Sequence, residues 1–317
     1  MQTFMVPCLL GLEKLVGDEI RRLGLRDVQV ENGRVLCRGQ LSDIARLNIN
    51  LRCGARVLLV LGRFPARSFE ELFQGTRAIA WEDYLPRDAA FPVKGYSISS
   101  QLHAVPACQS IIKKAMVERM KAHYGLEQFP EDGVKHQVRF SLFKDEAMIC
   151  LDTSGEGLYK RGYRAVGVEA PLRETLAAAM VTLAGEAMDK EFHGKYDIWG
   201  GDVDPRAVAI ARDNARKAGV EDVVRFGVAD MRNFRREDTY GQLVTNPPYG
   251  ERLLERQEAE ALYRDFGHMW ERLPDTWRTL VLSSHTEFER TFGHQAKKKR
   301  KLYNGMIKCD LFMYGNV

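Results

Sequence analysis

Residues 243–253 read Leu-Val-Thr-Asn-Pro-Pro-Tyr-Gly-Glu-Arg-Leu, and this stretch decides the fold. The apolar pair Leu243 and Val244 predicts a short buried strand. The two prolines that follow cannot continue it, because neither has an N–H to donate to a strand ladder and each fixes its own φ. The strand therefore ends in a rigid loop, which places Asn246 and Tyr249 at its carboxyl end, where open α/β sheets bind ligands.

Such a loop suits the methylation of an exocyclic amino group on a planar ring. The nitrogen is a weak nucleophile because its lone pair is delocalised, so a catalyst has to stabilise the tetrahedral form. We expect the Asn246 side-chain oxygen and the Pro247 carbonyl to accept the two N–H hydrogens, with Pro248 stiffening the loop and Tyr249 stacking on the base. The alternative is a proline-rich turn with a capping Asn and a surface Tyr.

Two features of this stretch resemble a known family. Asn-Pro-Pro-Tyr is similar to the fourth motif of class I S-adenosylmethionine-dependent amino methyltransferases. The extension at 250–253 resembles the bacterial RNA guanine-N2 methyltransferases with an N-terminal THUMP domain, which include the enzyme that modifies large-subunit ribosomal RNA. The resemblance implies S-adenosylmethionine as cofactor and Asn246, Pro247, Pro248 and Tyr249 as catalytic residues, with Asn246 also beside the cofactor. It implies an α/β Rossmann-like methyltransferase domain preceded by α+β ferredoxin-like and THUMP domains.

The composition is that of a globular protein. With 317 residues, the length suggests about two domains. No apolar run approaches the roughly 20 residues that cross a bilayer, and no signal-peptide pattern begins at Met1, so we expect a cytoplasmic protein. Six cysteines without a Cys-x-x-Cys pair, and dispersed histidines, predict free thiols and no metal site. We expect a monomer.

The order of predicted elements divides the chain into three parts. Residues 1–55 alternate strands with amphipathic helices, which indicates a small α+β unit; the resemblance implies that it is ferredoxin-like. Residues 56–165 place a strand, a basic helix and two further strands in an order that resembles a THUMP domain. Residues 166–317 contain the succession of strands and helices that the resemblance assigns to the methyltransferase domain.

Basic clusters predict contacts with RNA, the partner that the resemblance implies. They are Lys113 and Lys114 on the helix 108–123, Lys160 and Arg161 after the last THUMP-like strand, and the run Lys297, Lys298, Lys299, Arg300 and Lys301. The net charge of +4 permits a nucleic-acid partner without requiring one. A solvated helix face explains the first pair equally simply. Charges that protect an edge strand are the alternative for the run.

Acidic residues after two predicted strands are the expected cofactor contacts. The resemblance implies that Asp202 accepts hydrogen bonds from the ribose hydroxyls and that Asp230 accepts one from the adenine amino group. Each has a simpler alternative, since Asp202 or Asp204 caps a helix and Asp230 forms a turn. The family also places its counterpart of Arg173, Glu174 and Thr175 beside the methyl donor.

One part of the family pattern is not found. A class I methyltransferase needs a strand followed by a glycine-rich turn, because only glycine lets the backbone approach the amino-acid end of the cofactor. Between Ala184 and Tyr196 the sequence has neither. Either a segment near 184–195 is missing from this sequence, or the protein lacks the loop and does not methylate. We favour the first, because a sheet without its central strand leaves two rows of backbone groups unpaired.

The expected activity is methylation of guanine N2 in structured RNA, with 23S ribosomal RNA as the first choice of target and transfer RNA as the second. If the cofactor loop is truly absent, the expectation changes to a non-catalytic THUMP-type RNA-binding protein.

Overall fold

A computed structural model of the chain describes residues 1–164, 166, 171–185, 197–249 and 255–315. The described chain forms two compact units. The first consists of Met1–Cys8 and Val16–Gly157, and the second of Leu9–Leu15 and Leu158–Val317.

The amino-terminal half of the chain supplies seven strands and four α-helices. In chain order they are β1 (Gln2–Pro7), α1 (Glu13–Arg22), β2 (Arg26–Glu31), β3 (Arg34–Gly39), α2 (Asp43–Asn50), β4 (Leu58–Pro65), α3 (Phe69–Arg77), β5 (Val93–Ile98), α4 (Val105–Tyr124), β6 (Val138–Phe143) and β7 (Glu146–Asp152).

These strands form one sheet in the order β2-β3-β1-β4-β7-β6-β5. All neighbours are antiparallel except β5 and β6. The apolar run at residues 57–61 predicts a central strand, and β4 is indeed the fourth of seven. Helices α3 and α4 pack on this sheet over a core that includes Trp81, Phe91 and Met116, each fully buried.

Local sequence signals explain several boundaries in this sheet. Ser68 caps α3, since its Oγ accepts a hydrogen bond from the Glu71 N–H at 3.2 Å, as the capping-box spacing predicts. Lys144 and Asp145 both adopt positive φ, at 52° and 61°. Two consecutive positive φ values are characteristic of a tight hairpin turn, which joins β6 to β7.

The second unit carries the candidate site. Its elements are α5 (Glu174–Gly185), β8 (Ile198–Asp202), α6 (Pro205–Ala218), β9 (Val224–Val228), β10 (Gln242–Thr245), α7 (Arg256–Trp270), β11 (Arg278–Ser283), α8 (Phe288–Phe292), β12 (Lys298–Asn304) and β13 (Ile307–Tyr314).

The strands of the second unit form two sheets. Strands β8 and β9 pair in parallel as a two-stranded sheet, and the other four form a sheet in the order β10-β11-β13-β12. Strand β10 runs parallel to β11, whereas β13 is antiparallel to both of its neighbours. The dipeptide Asn304-Gly305 is a sequence signal for a hairpin turn, and it joins β12 to β13, with Gly305 at φ 67°.

An aromatic core packs against the four-stranded sheet. Tyr263, Phe288 and Phe292 are almost completely buried in it, together with Phe312 and Tyr314 of β13. Within the described part of the chain, no helix is both long and apolar enough to cross a membrane.

Candidate active site at the carboxyl end of strand β10

The diproline loop begins where β10 ends. Strand β10 stops at Thr245, so the prolines terminate it as the sequence predicts. The Tyr249 hydroxyl donates a hydrogen bond to the Asn246 side-chain oxygen. This bond fixes the amide of Asn246, and it leaves one lone pair of the oxygen for a second donor, because a carbonyl-type oxygen accepts two. Asn246, Pro247, Pro248 and Tyr249 all remain partly exposed.

A buried tyrosine forms a hydrogen bond with the backbone of this loop. Tyr263 of α7 is completely buried, and its hydroxyl donates to the Pro248 carbonyl. The same hydroxyl lies 3.5 Å from Ser283 Oγ at the end of β11. Burial raises the pKa of the Tyr263 phenol, so it stays protonated and remains a donor at neutral pH. The loop is therefore anchored through its second proline.

The β12–β13 hairpin supplies the surroundings of Tyr249. Burial raises the pKa of the Tyr249 phenol above its ordinary value, and neighbouring Cys309 raises it further, whereas a hydrogen bond with Asn304 opposes that change. In the hairpin, Asn304 pairs with Ile307 beside the turn, and Cys309 pairs with Leu302 two residues further from it. Tyr249 is thus a phenol held in place by its hydroxyl.

A histidine–carboxylate pair, His285 and Glu260, lies next to Tyr263. His285 is buried; its Nε2 is 3.2 Å from the Glu260 carboxylate, and its Nδ1 accepts a hydrogen bond from the Glu287 N–H. The neutral ring therefore carries its proton on Nε2. Burial alone would raise the pKa of Glu260, but hydrogen bonds from Arg256 and His285 outweigh it and lower the pKa. The His285 ring meets Tyr263 edge-on at 5.5 Å.

Sequence reasoning missed Tyr263, His285, Asn304 and Cys309. A signal for Tyr263 exists, since Ala259, Tyr263 and Phe266 have the spacing of one buried helix face. No comparable local signal exists for the other three. Asn304 and Cys309 lie beside Tyr249, and His285 lies beside Tyr263, because of the strand order. Strand order depends on the whole sheet.

The two acidic residues predicted to bind the cofactor lie at the carboxyl ends of β8 and β9. Asp202 ends β8 and accepts a hydrogen bond from the Asp204 N–H at 2.9 Å. Asp204 caps α6 through the Arg206 N–H, as predicted. Asp230 follows β9, and its two oxygens accept from the Arg232 guanidinium at 3.0 and 2.9 Å. This pairing lowers the pKa of Asp230, so it is ionised at neutral pH.

Of the three residues predicted beside the methyl donor, Arg173 and Glu174 have partners within the second unit. The Arg173 guanidinium lies over the Tyr159 ring at 5.7 Å. Glu174 begins α5 and forms an ion pair with Arg164 at 3.3 Å. Thr175 is buried. Their contact with a cofactor stays a prediction.

The basic residues predicted to touch RNA differ in their surroundings. Lys113 pairs with Glu131 at 2.8 Å, and Lys114 lies 3.9 Å from Glu118. Lys160 and Arg161 are exposed on a segment without regular secondary structure.

Most of the run at 297–301 belongs to strand β12 and does not lie on a loop before the hairpin. Lys299 pairs with Glu289 at 2.8 Å, and Arg300 donates to the Gly11 carbonyl at 2.8 Å. Lys297, Lys298 and Lys301 are exposed. Strand alternation turns successive side chains to opposite faces, so these cations do not form one continuous patch.

The described residues do not form a complete S-adenosylmethionine site. Asp202 and Asp230 belong to one sheet and Asn246 to another, and no strand pairing joins β8 to β10 among the described residues. Both oxygens of Asp230 are also engaged by Arg232. Residues 250–253 and 186–196, which carry the family-specific extension and most of the expected gap, lie outside the described residues. Among those described, no group of three or more His, Cys, Asp or Glu side chains could hold a metal ion.

Three family models match the chain in succession. An RlmL ferredoxin-like domain matches residues 3–58, a THUMP domain matches 66–152, and an RMKL-like methyltransferase domain matches 186–312. Together with the diproline loop, these matches define a class: the protein is an RNA methyltransferase with ferredoxin-like, THUMP and methyltransferase domains.

Two relatives identify the family. The chain is 36% identical over 369 residues to "Putative RNA methyltransferase YpsC" of Bacillus subtilis, covering 98% of this chain and 95% of the relative. It is 28% identical over 377 residues to the ribosomal RNA large subunit methyltransferase K/L of Psychromonas ingrahamii, covering 99% of this chain and 50% of that protein. The chain thus spans about half the length of its K/L relatives. It belongs to this family of RNA methyltransferases of the K/L type.

A solved structure agrees with this assignment. The structure of SMU.472, which is complexed with SAH, is 38% identical to this chain and superposes with a TM-score of 0.89. The match covers 100% of this chain and 98% of that one.

Proposed function

We propose that the protein, once its cofactor site is complete, transfers a methyl group from S-adenosylmethionine to N2 of a guanine in structured RNA. The observation that carries this proposal is the anchored loop at the end of β10. In this loop the Tyr249 hydroxyl fixes the Asn246 side chain and the Tyr263 hydroxyl fixes the Pro248 carbonyl. The two acceptors in the proposal are the Asn246 side-chain oxygen and the Pro247 carbonyl. The cofactor supplies an electrophilic methyl group when it is bound, and the residues of the loop position the guanine amino group.

The two acceptors act on the attacking nitrogen. An amino group with both hydrogens bonded in this way is held in place, and its lone pair becomes available as the nitrogen turns tetrahedral. The Tyr249 hydroxyl keeps the Asn246 oxygen oriented toward the loop. Tyr263 engages the carbonyl of Pro248, and the acceptor assigned to the substrate is the carbonyl of Pro247. The guanine has to leave its stack to reach this loop, and its ring would pack on Tyr249.

The choice of RNA target rests on the relatives and on charge. The K/L relatives are named for large-subunit ribosomal RNA, which makes 23S ribosomal RNA the proposed substrate and transfer RNA the runner-up. We propose that Lys113, Lys114, Lys160, Arg161 and the run at 297–301 contact phosphates, because phosphate contacts dominate affinity for structured RNA. RNA substrates and six free thiols favour the cytoplasm as the compartment.

The activity is tested by analysing methylated nucleosides in RNA treated with the protein and S-adenosylmethionine. Asn246→Ala should lower the rate on the order of 10²–10³-fold, as the loss of one catalytic hydrogen-bond partner does elsewhere. RNA affinity should change little. Tyr249→Phe keeps the ring and removes the hydrogen bond to Asn246, so it should give a smaller loss. Methylation of adenine, or an Asn246→Ala variant at full rate, would contradict the proposal.

A second candidate is a non-catalytic RNA-binding protein. The observation that favours it is the lack of strand pairing between β8 and β10 among the described residues. The two candidates are separated by the same assay, because a non-catalytic protein would bind RNA and produce no methylated nucleoside with any variant.

A further inference from the structure

The turn of the β12–β13 hairpin exposes an apolar side chain. Asn304 pairs with Ile307, so Gly305 and Met306 are the two residues of the turn. Met306 is 97% exposed, more than any other large apolar side chain in the described part of the chain. Turn positions are ordinarily occupied by Gly, Pro, Asn, Asp or Ser. An apolar side chain stabilises a fold only when it leaves water, so Met306 contributes little to the stability of the hairpin.

The turn lies at the same edge of the sheet as the diproline loop. Strands β10 and β11 are parallel and therefore end at one edge. Strand β13 is antiparallel to β11, with Asp310 opposite Ser283, so the turn that precedes β13 projects beyond this edge. The Tyr263 hydroxyl, which donates to the Pro248 carbonyl, lies 3.5 Å from Ser283 Oγ. The turn and the loop are thus neighbours.

Met306 is also close to the ring on which the proposed guanine packs. Asn304 forms a hydrogen bond with the Tyr249 hydroxyl. The Cα atoms of Asn304 and Met306 are at most about 7.6 Å apart, which is twice the spacing of consecutive Cα atoms. An RNA helix that delivers a base to Tyr249 therefore passes beside Met306.

The end of the hairpin carries positive charge. Lys308 is exposed and lies opposite the half-exposed Tyr303, and Lys301 is exposed two residues before Tyr303. Alternate residues of a strand share a face, so these three side chains lie on one face of the hairpin. Asp310, opposite Lys301, is the acidic residue of this face near the turn. Two lysines against one carboxylate fit a phosphate backbone.

The extrusion of a base leaves a gap that an apolar side chain can fill. A guanine that leaves its helix loses its stacking and pairing, and so do its neighbours. Proteins that unstack a helix frequently insert Phe, Leu, Ile, Met or Pro between the separated bases. Methionine suits such a gap, because its flexible thioether side chain adapts to irregular shapes and contacts aromatic rings favourably.

We propose that Met306 inserts into the RNA helix at the step that the target guanine leaves, while Lys301 and Lys308 contact the flanking phosphates. Met306 is a positioning residue, since it acts on the helix that releases the guanine and not on the reacting atoms. The inference rests on the proposed function, in which a guanine is extruded to reach Tyr249.

The test compares methylation of two RNA transcripts. The wild-type protein first locates the methylated guanine in a 23S ribosomal RNA transcript, and we expect that guanine to be paired in a helix. The second transcript changes the nucleotide opposite it, so that the guanine is mismatched and costs less to extrude. On the paired transcript, Met306→Ala should lower the rate on the order of 10-fold, because no side chain fills the gap. On the mismatched transcript its loss should be smaller.

Two further variants separate insertion from charge and from packing. Met306→Leu keeps an apolar side chain of similar volume, so it should restore most of the rate on the paired transcript. Met306→Lys adds a cation, so it should bind RNA at least as tightly as the wild type and still methylate the paired guanine slowly. The matched control is Ile49→Ala on α2, which truncates a side chain that is 73% exposed and should leave both rates unchanged.

The outcomes keep this inference apart from the proposed function. An unpaired target guanine overturns the inference, and so does an equal loss by Met306→Ala on both transcripts or a full rate with Met306→Lys. The methylation of guanine by the wild type stands in all three cases. A wild-type protein that methylates neither ribosomal nor transfer RNA refutes the proposed function, and the inference falls with it.

Discussion

Tyr263→Phe removes the hydroxyl that anchors the diproline loop. The substitution keeps the ring, which packs edge-on against Phe288 at 4.9 Å and against His285 at 5.5 Å. The lost interactions are the hydrogen bond to the Pro248 carbonyl and the longer one, at 3.5 Å, with Ser283 Oγ. A buried neutral hydrogen bond contributes about 1 kcal/mol net, and a buried acceptor left unpaired costs about 1–3 kcal/mol. Because Pro248 is partly exposed, water can replace the donor, and the expected loss is about 1 kcal/mol.

The measurement is the free energy of unfolding in urea. The matched control is Tyr240→Phe, the same chemical change at a side chain that is 77% exposed, which should leave stability unchanged. In a protein with a complete cofactor site, Tyr263→Phe should also lower the rate of methyl transfer with little effect on RNA affinity, since the freed loop no longer fixes the Pro247 carbonyl. If Tyr263→Phe matches Tyr240→Phe in both stability and rate, the hydroxyl does not position the loop.

Three further predictions concern charge, pH and thiols. Lys301→Ala should weaken RNA binding and reduce the slope of log Kd against log salt concentration by about 1. Lys299→Ala should have a smaller effect on both quantities, because Lys299 is already paired with Glu289. Hydrogen bonds from Arg232 lower the pKa of the Asp230 carboxyl in the folded protein. The contribution of this pair to folding stability is therefore present above the pKa that Asp230 has in the unfolded chain, and it is lost as the pH falls through the lower, folded pKa. NMR titration of Arg232→Ala should show the pKa of Asp230 rising toward its ordinary value. Under native conditions a thiol reagent should label Cys8 first, because the other five cysteines are buried; equal labelling of all six would contradict the fold.

The local signals of the chain predicted much of the secondary structure. Ser68, Asp204 and the Asn304-Gly305 pair each act on a few neighbouring residues, and the structure confirms all three. Periodic apolar residues predicted the helices for the same reason. These features are visible in the sequence because their physical causes span no more than one or two turns of chain.

The basic run shows which partners local reasoning cannot find. In sequence, residues 297–301 are five consecutive cations, which predicts contact with phosphates. In the fold they enter strand β12, whose alternation sends them to two faces, and Glu289 and the Gly11 carbonyl engage Lys299 and Arg300. Gly11 is 289 positions away from Arg300. Nothing within a short window of sequence reveals such partners.

The sequence by itself determined that a strand ends at Thr245 and is followed by a stiff loop, because two prolines forbid any continuation. The tertiary structure decided what surrounds that loop. Tyr263 beneath Pro248, and Asn304 and Cys309 beside Tyr249, arrive from a helix and a hairpin whose positions depend on the order β10-β11-β13-β12. Strand order is set by the packing of the whole sheet, so this setting of the loop cannot be derived from any one stretch of the chain.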